Sequence, residues 1–376
     1  MKKIIGLGFA AIALCAFRFG TVDLGHDAAQ QAQDQATTTA AAAAAAAPVA
    51  KGSRSLGMAV DTAQDGDFDG AFQRAHNGGA DTTSLTVFWD DLETSSSPVT
   101  FNPAVNNLAI ANAYYPPKST AVVLVIPVID TVRRRMPPDL IGLPLNNPAV
   151  INRFKLLLDY VFTQIPDLTL AGLSIGNEVD GVLSTSSDWG DYINFYIAVS
   201  AYAHTKRPGL KVGVKATLPG LTQKQVLNLI VLNSKTDAVF ATYYPLNADF
   251  SVKDPSAVKT DVDALCGWYS GREVDFLEAG YPSGAPTHSS DAAQATFVRN
   301  MFSSWDAHAG QIRIVNFVGL TDASPQQISD YQTYYGISDP IFLSYLGTLG
   351  LRTWPGAGAN KPAFDAFTQE AHRRGW

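Results

Sequence analysis

The chain has 376 residues, 46% of them hydrophobic and 16% charged, with a formal net charge of −7. That balance excludes a disordered chain and a basic nucleic-acid binder, and two cysteines are too few for a disulfide framework. The length leaves room for two domains or for one large barrel.

The N-terminus has the pattern of an address label. Lys2 and Lys3 precede an apolar run over residues 4–17 that Arg18 ends. The run is shorter than the roughly 20 residues a spanning helix needs, and it fits the apolar core of a secretory signal. A signal peptide is therefore expected over 1–20, with secretion or a cell-envelope location to follow. Cys15 is a candidate for lipid attachment, although Leu14 stands where a small residue is usual. Residues 28–50 are an Ala-, Gln- and Thr-rich stretch with no large apolar side chain before Val49. They belong to a low-complexity linker expected over 21–52, with a barrel domain over 53–376 and no internal disulfide for the remaining Cys266. The chain is expected to be a monomer.

From Ser55 onward, strand-like and helix-like segments alternate. Strands are predicted at 55–63 (SLGMAVDTA), 84–92 (SLTVFWDDL), 120–130 (TAVVLVIPVID), 170–180 (LAGLSIGNEVD), 211–218 (KVGVKATL), 238–246 (AVFATYYPL), in EVDFLEAGYPSG and at 312–322 (IRIVNFVGLTD). Between them lie segments of helical spacing. FDGAFQRAHNGG is closed by glycines, and NPAVNNLAIANAYY has Asn102 as cap and Pro103 at its first position. Behind Asn147-Pro148, the residues Val150, Phe154, Leu157, Leu158 and Val161 mark one apolar face. Arg133, Arg134 and Arg135 form the only basic run and are read as a solvated loop. Eight strands each followed by a helical or loop segment predict a (β/α)8 TIM barrel, whose right-handed crossovers bring every strand end to one rim. A doubly wound sheet would want a Gly-rich turn after the first strand, which MAVDTAQDGDF does not supply.

On such a rim the ends of the fourth and seventh strands lie on opposite sides of one mouth. They carry Glu178 and Glu278. Two carboxyl groups about 5–5.5 Å apart, one protonated and one ionised, are what cleavage of a glycosidic bond with retention needs. Like charges that close push their pKa values apart and so divide the roles of acid and nucleophile. Asp61, Asp130 and Lys215 sit near the ends of the first, third and fifth strands, as hydroxyl ligands or rim ion pairs. Trp89, Trp189, Tyr281 and Trp354 are candidates for stacking on sugar rings. No Cys/His cluster points to zinc, so neither metal nor cofactor is expected. GLSIG holds its serine inside a strand, which argues against serine hydrolysis.

The strings GNEVD and LEAGYPSG, each behind a buried strand, resemble the (β/α)8 retaining glycoside hydrolases of clan A. Glu-x-Gly-Tyr-Pro, with the Tyr-Tyr-Pro of the sixth strand, is similar to endo-β-1,4-galactanases and their relatives. The resemblance implies a carbohydrate substrate, Glu178 as acid/base, Glu278 as nucleophile, Asn177 as a ligand of the sugar 2-hydroxyl and Tyr244 as a phenol steadying the nucleophile. In architecture it covers about residues 55–372; in motif it is confined to strands four, six and seven. Members of the clan commonly carry an arginine near the end of strand two and a tryptophan on strand eight. This chain has Phe88-Trp89-Asp90 and Asn316-Phe317 at those places. A carbohydrate-binding barrel that does not cleave is the alternative reading, and a metal-dependent barrel enzyme is a third.

Overall fold

The computed structural model describes residues 47–376. The signal segment, Cys15 and most of the linker lie outside the described residues.

Eight parallel strands line the centre: β1 (Ser55–Met58), β2 (Thr82–Thr86), β3 (Ala121–Val125), β4 (Leu170–Ser174), β5 (Val212–Gly213 and Lys215–Thr217), β6 (Val239–Tyr243), β7 (Val274–Ala279) and β8 (Ile312–Phe317). They pair in chain order and β8 returns to β1. β5 is split at Val214, its first half pairing with β4 and its second with β6, so the ring closes through it. Helices α1 (Phe68–Asn77), α2 (Asn107–Tyr114), α3 (Pro148–Gln164), α4 (Ser186–Lys206), α5 (Val226–Asn233), α6 (Ala257–Trp268), α7 (Asp291–Ala307) and α8 (Pro362–His372) follow the strands in turn. This is the expected (β/α)8 barrel.

Alternation along the strands builds two cores. On β3, Val123 and Val125 point into the barrel with Ala171, Ala238, Phe240, Leu277 and Ile314. Val122 and Leu124 point outward into the layer between sheet and helices. There α3 buries Val150, Phe154, Leu157, Leu158 and Val161, the face its spacing predicts. Each such side chain contributes roughly 1.5–3 kcal/mol on burial. α3 starts as expected, with the Asn147 side-chain Oδ1 accepting from the Ala149 amide and Pro148 in the first turn.

Elsewhere the boundaries differ. The predicted strands overrun because their last residues cross the rim as irregular chain. β2 ends at Thr86, and Trp89–Leu92 is a one-turn helix followed by a small hairpin, Glu93–Ser96 with Val99–Phe101. That hairpin pushes α2 downstream, so its cap is Asn106 rather than Asn102. The arginine run is not a solvated loop. Arg133 and Arg134 form a short antiparallel pairing with Ile129–Asp130, and Arg135 bridges Asp90 at 2.9 Å and Asp91 at 3.2 Å.

The longest connection at the rim runs from β8 to α8. It contains the helices Pro325–Tyr335 and Pro340–Gly347. Phe342, Tyr345 and Leu346 from the second of these form a separate apolar cluster with Tyr331, Tyr244, Val318 and Leu349. The pair of helices therefore lies against the mouth of the barrel.

Candidate active site

Glu178 follows β4 in a left-handed backbone conformation, φ 48° and ψ 49°. Thr131, after β3, is also left-handed at φ 50°. Such conformations cost a non-glycine residue about 1 kcal/mol or more and persist where surrounding contacts enforce them. Here the contacts are explicit. The Thr131 amide donates to the Asn177 carbonyl at 2.9 Å, and the Asn177 amide donates to the Ile129 carbonyl at 2.9 Å. The Asn177 side-chain amide donates to Asp130 Oδ1 at 2.9 Å and to Thr131 Oγ1 at 3.2 Å. The chain is thereby turned so that Glu178 enters the mouth, where Thr131 donates to its Oε2 at 2.9 Å and Thr242 to its Oε1 at 2.6 Å.

Glu278 arrives by a different device. On β7 Phe276 faces the helices and Leu277 the barrel interior, so strict alternation would turn Glu278 outward. The register between β6 and β7 slips there: Ala241 pairs with Phe276, and Thr242 with Glu278. This extra residue re-aims Glu278 inward, a common use of a bulge beside a site. Its Oε2 accepts from the Tyr244 hydroxyl at 2.8 Å, and its Oε1 is ion-paired with the Lys215 ammonium. Lys215 reaches it because Val212, Val214 and Ala216 of β5 face the helices and leave the alternate residues inside.

Thr242 thus sits between the two acids, its hydroxyl on Glu178 and its backbone in register with Glu278. Thr242 and Tyr244 both point inward while Tyr243 points out, its hydroxyl donating to Asp261 of α6 at 3.0 Å. Both carboxylates are buried, Glu178 at 0% and Glu278 at 3% exposure. Burial first, and next the charge of Glu278, push the Glu178 carboxyl well above the usual carboxylate range, with the Thr242 hydroxyl pulling the other way. A protonated acid and a carboxylate held by a cation, side by side, are the elements of proton donation and nucleophilic attack on one bond.

Asp130 is buried beside this pair, and desolvation raises its carboxyl above the ordinary value. It also accepts from the Tyr334 hydroxyl of the first helix over the mouth, while the Arg133 guanidinium stacks on that ring at 3.9 Å. Tyr345, fully buried, meets Tyr244 edge-on at 5.7 Å and feels the charges of both glutamates. Asp61 lines a cavity of about 20 Å³ with Tyr331, Leu346 and Leu349 under the same helices.

Of the residues singled out in the sequence, Glu178, Glu278, Asn177 and Tyr244 come together, with Asp130 and Lys215 beside them. The aromatic candidates do not join them. Trp89 is buried edge-on against Phe154 with its indole N–H on Glu93 at 2.8 Å. Trp189 is buried on α4. Tyr281 stacks on Phe297 and donates to the Lys253 carbonyl at 2.8 Å. All three fill the layer between sheet and helices, and Trp354 is a half-buried residue of the connection before α8. No arginine stands at the end of β2, and the cation beside Glu278 comes from β5 instead. Sequence reasoning passed over Thr131, Thr242, Tyr334 and Tyr345. Thr242 was findable, since it shares a strand face with Tyr244 two residues on.

No protein-family model and no curated protein matches the chain. Solved structures do. A family 5 subfamily 18 glycoside hydrolase from Bifidobacterium longum subsp. longum superposes with a TM-score of 0.64 at 14% identity, over 85% of this chain and 79% of that one. An exo-β-1,4-mannosidase from an Opitutaceae bacterium gives 0.64 at 14% identity, over 85% of this chain and 59% of its own. A subfamily 18 variant from Streptomyces cattleya, solved with Manβ1-4GlcNAc, gives 0.62 at 16% identity, over 85% and 81%. The likeness to galactanases rests on the sequence strings alone. What this chain shares with these clan A glycoside hydrolases is the fold, a closed parallel (β/α)8 barrel.

Proposed function

We propose that this chain is a retaining β-glycosidase. Glu178 protonates the departing oxygen while Glu278 attacks the anomeric carbon. The glycosidic C–O bond breaks and a glycosyl ester of Glu278 forms. Water then attacks that ester, Glu178 takes its proton, and the Glu278 carboxylate is released. Tyr244 holds the attacking carboxylate in place, and Asn177 stands beside the acid where it can meet a sugar hydroxyl. The observation that carries this reading is the sorting of two buried glutamates around Thr242, one among hydroxyls and one against an ammonium.

The substrate class is suggested by the fold relatives, one an exo-mannosidase and one solved with Manβ1-4GlcNAc. β-Mannosides therefore head the panel, followed by β-glucosides, β-galactosides and β-xylosides. Secretion, with lipid attachment at Cys15 as its alternative, and a monomeric state belong to the same proposal. The test is hydrolysis of aryl β-glycosides by the full chain and by Glu278→Ala. Wild-type turnover lost in the variant supports the nucleophile; unchanged hydrolysis overturns it. A second reading, a barrel that binds sugar without cleaving it, is favoured by the burial of both carboxylates. It predicts oligosaccharide binding by calorimetry with no product at any pH.

A further inference from the structure

Asp130 is 1% exposed, and its two carboxyl oxygens face different parts of the molecule. Oδ1 accepts from the Asn177 side-chain amide at 2.9 Å, in the network that runs through Thr131 to Glu178. Oδ2 accepts from the Tyr334 phenol, which also donates to the Asp130 carbonyl at 3.2 Å. A hydroxyl from the covering helices thus sits in a buried polar notch beside the acid.

The two covering helices are held unequally. Pro340–Gly347 buries Phe342, Tyr345, Leu346 and Gly347, whereas Pro325–Tyr335 buries Tyr331 alone. The base of both is pinned: Lys361 pairs with Asp322 at 2.6 Å and donates to the Gly350 carbonyl at 2.8 Å, and the Ala323 amide donates to the Gly347 carbonyl at 3.1 Å. Few buried contacts mark the segment that opens most easily, so Pro325–Tyr335 is the helix that lifts about this base. Tyr334, with the Arg133 guanidinium on its ring at 3.9 Å, fastens the far end. Glu178 at 0% and Glu278 at 3% exposure meet a sugar only after the covering moves. The helix that moves carries Tyr334, so opening breaks its bond and bares Asp130.

Resting on the reading of this mouth as a sugar site, we propose that Asp130 is a specificity-determining residue that accepts from a hydroxyl of the bound sugar, and that the Tyr334 phenol is the resident stand-in for that hydroxyl. To a buried carboxyl the two groups are alike, since each donates one hydrogen bond. Exchange of one for the other leaves Asp130 satisfied in both states. A sugar without a hydroxyl at that place leaves the carboxyl unpartnered in a dry site, which makes the contact selective. The stand-in also sets a sign. The fastened form takes no sugar, so its population lowers the apparent affinity, and loosening the fastening raises it. A phenol that touched the sugar would give the opposite sign, and one that only braced the rim would give none.

The experiment uses the full chain, Tyr334→Phe and Arg133→Gln, and the para-nitrophenyl β-glycoside of the panel that the wild type turns over best. Tyr334→Phe keeps the ring and drops the hydroxyl, so KM should fall at least threefold with kcat no lower. Arg133→Gln, at an exposed position, should move KM the same way by less. Without sugar, hydrogen exchange of the amides in Pro325–Tyr335 should quicken at least tenfold in Tyr334→Phe while those in Pro340–Gly347 hold. Among the monodeoxy forms of the same glycoside, one should lower wild-type kcat/KM at least tenfold. Asp130→Asn should lower the parent as much and that deoxy form no further. A KM that stays or rises in Tyr334→Phe, unaltered exchange, or losses that add for Asp130→Asn and every deoxy form would each overturn the proposal. Thermal melting identifies a variant that misfolds, and Arg133→Gln then replaces Tyr334→Phe, or Asp130→Ser replaces Asp130→Asn. A wild type that binds a glycoside without cleaving it sinks the glycosidase reading, and the same comparisons are then made on Kd by calorimetry. Binding of no glycoside sinks both readings, whereas a normal wild type indifferent to Tyr334→Phe sinks this inference alone.

Discussion

The ends of β4 and β7 carry the same side chain and handle it in opposite ways. At β4 the chain is wound into a left-handed turn that leaves Glu178 without a direct cation, held by the hydroxyls of Thr131 and Thr242. At β7 a slip of one residue delivers Glu278 to the Lys215 ammonium and the Tyr244 phenol. Burial and the charge of Glu278 favour a proton on Glu178 against the pull of the Thr242 hydroxyl, while Glu278 itself lies against an ammonium. The division of labour proposed for the two acids would follow from these neighbours, and changing neighbours should redistribute it.

The largest effect is expected from removing the residue at β7. Glu278→Ala should lower kcat by about 10^4-fold or more for every leaving group, as loss of a covalent nucleophile does. Glu178→Ala should depend on the substrate. It should cost roughly 10^2–10^4-fold for an alkyl or sugar leaving group, where proton donation matters. For dinitrophenolate the first step should be nearly spared, and stopped-flow release of the phenolate would show it. Equal losses on both substrates would erase the distinction between the two acids. Tyr244→Phe removes one hydrogen bond to a charged group and should cost about 10-fold in kcat, on the order of 1.5 kcal/mol. Its effect should be the same for good and poor leaving groups.

The smallest effect is a displacement of the pH profile. Because burial and Glu278 raise the Glu178 carboxyl, activity should persist above the usual carboxylate range and fall as pH climbs through that raised value. Thr242 pulls in the other direction, so Thr242→Val should carry the alkaline limb to higher pH while changing kcat at its optimum less than about tenfold. A limb that stays put, or moves to lower pH, would show that Thr242 does not tune the acid. By the same sign, the raised Glu178 favours the fold while protonated, and that contribution fades as pH rises through its folded value.

The barrel was legible because its evidence is redundant: eight apolar runs, each with a helical or loop partner, fix one rim, and both glutamates sit at run ends. Lys215 was legible as a residue of that rim, its partner was not. What hid it was the bulge at Leu277–Glu278, since a one-residue slip leaves no mark in an apolar run. The aromatic candidates failed for a related reason. Position after a strand tells that a residue is near the rim, and the one-turn helix at Trp89–Leu92 turns Trp89 away from it. The helices over the mouth had a signal that went unread: Ser324, Pro325 and Gln327 spell a capping box, and the structure forms it.

Those two helices have a consequence for traffic. Tyr334 is tethered to Asp130, Tyr345 lies close to both glutamates, and Glu178 is fully buried with Glu278 only 3% exposed. A chain that cleaves sugars from this arrangement has to part the covering before each substrate arrives and again before each product leaves. The frequency of that parting is then a ceiling on turnover, one that thickening the solvent would lower even where the chemistry is fast.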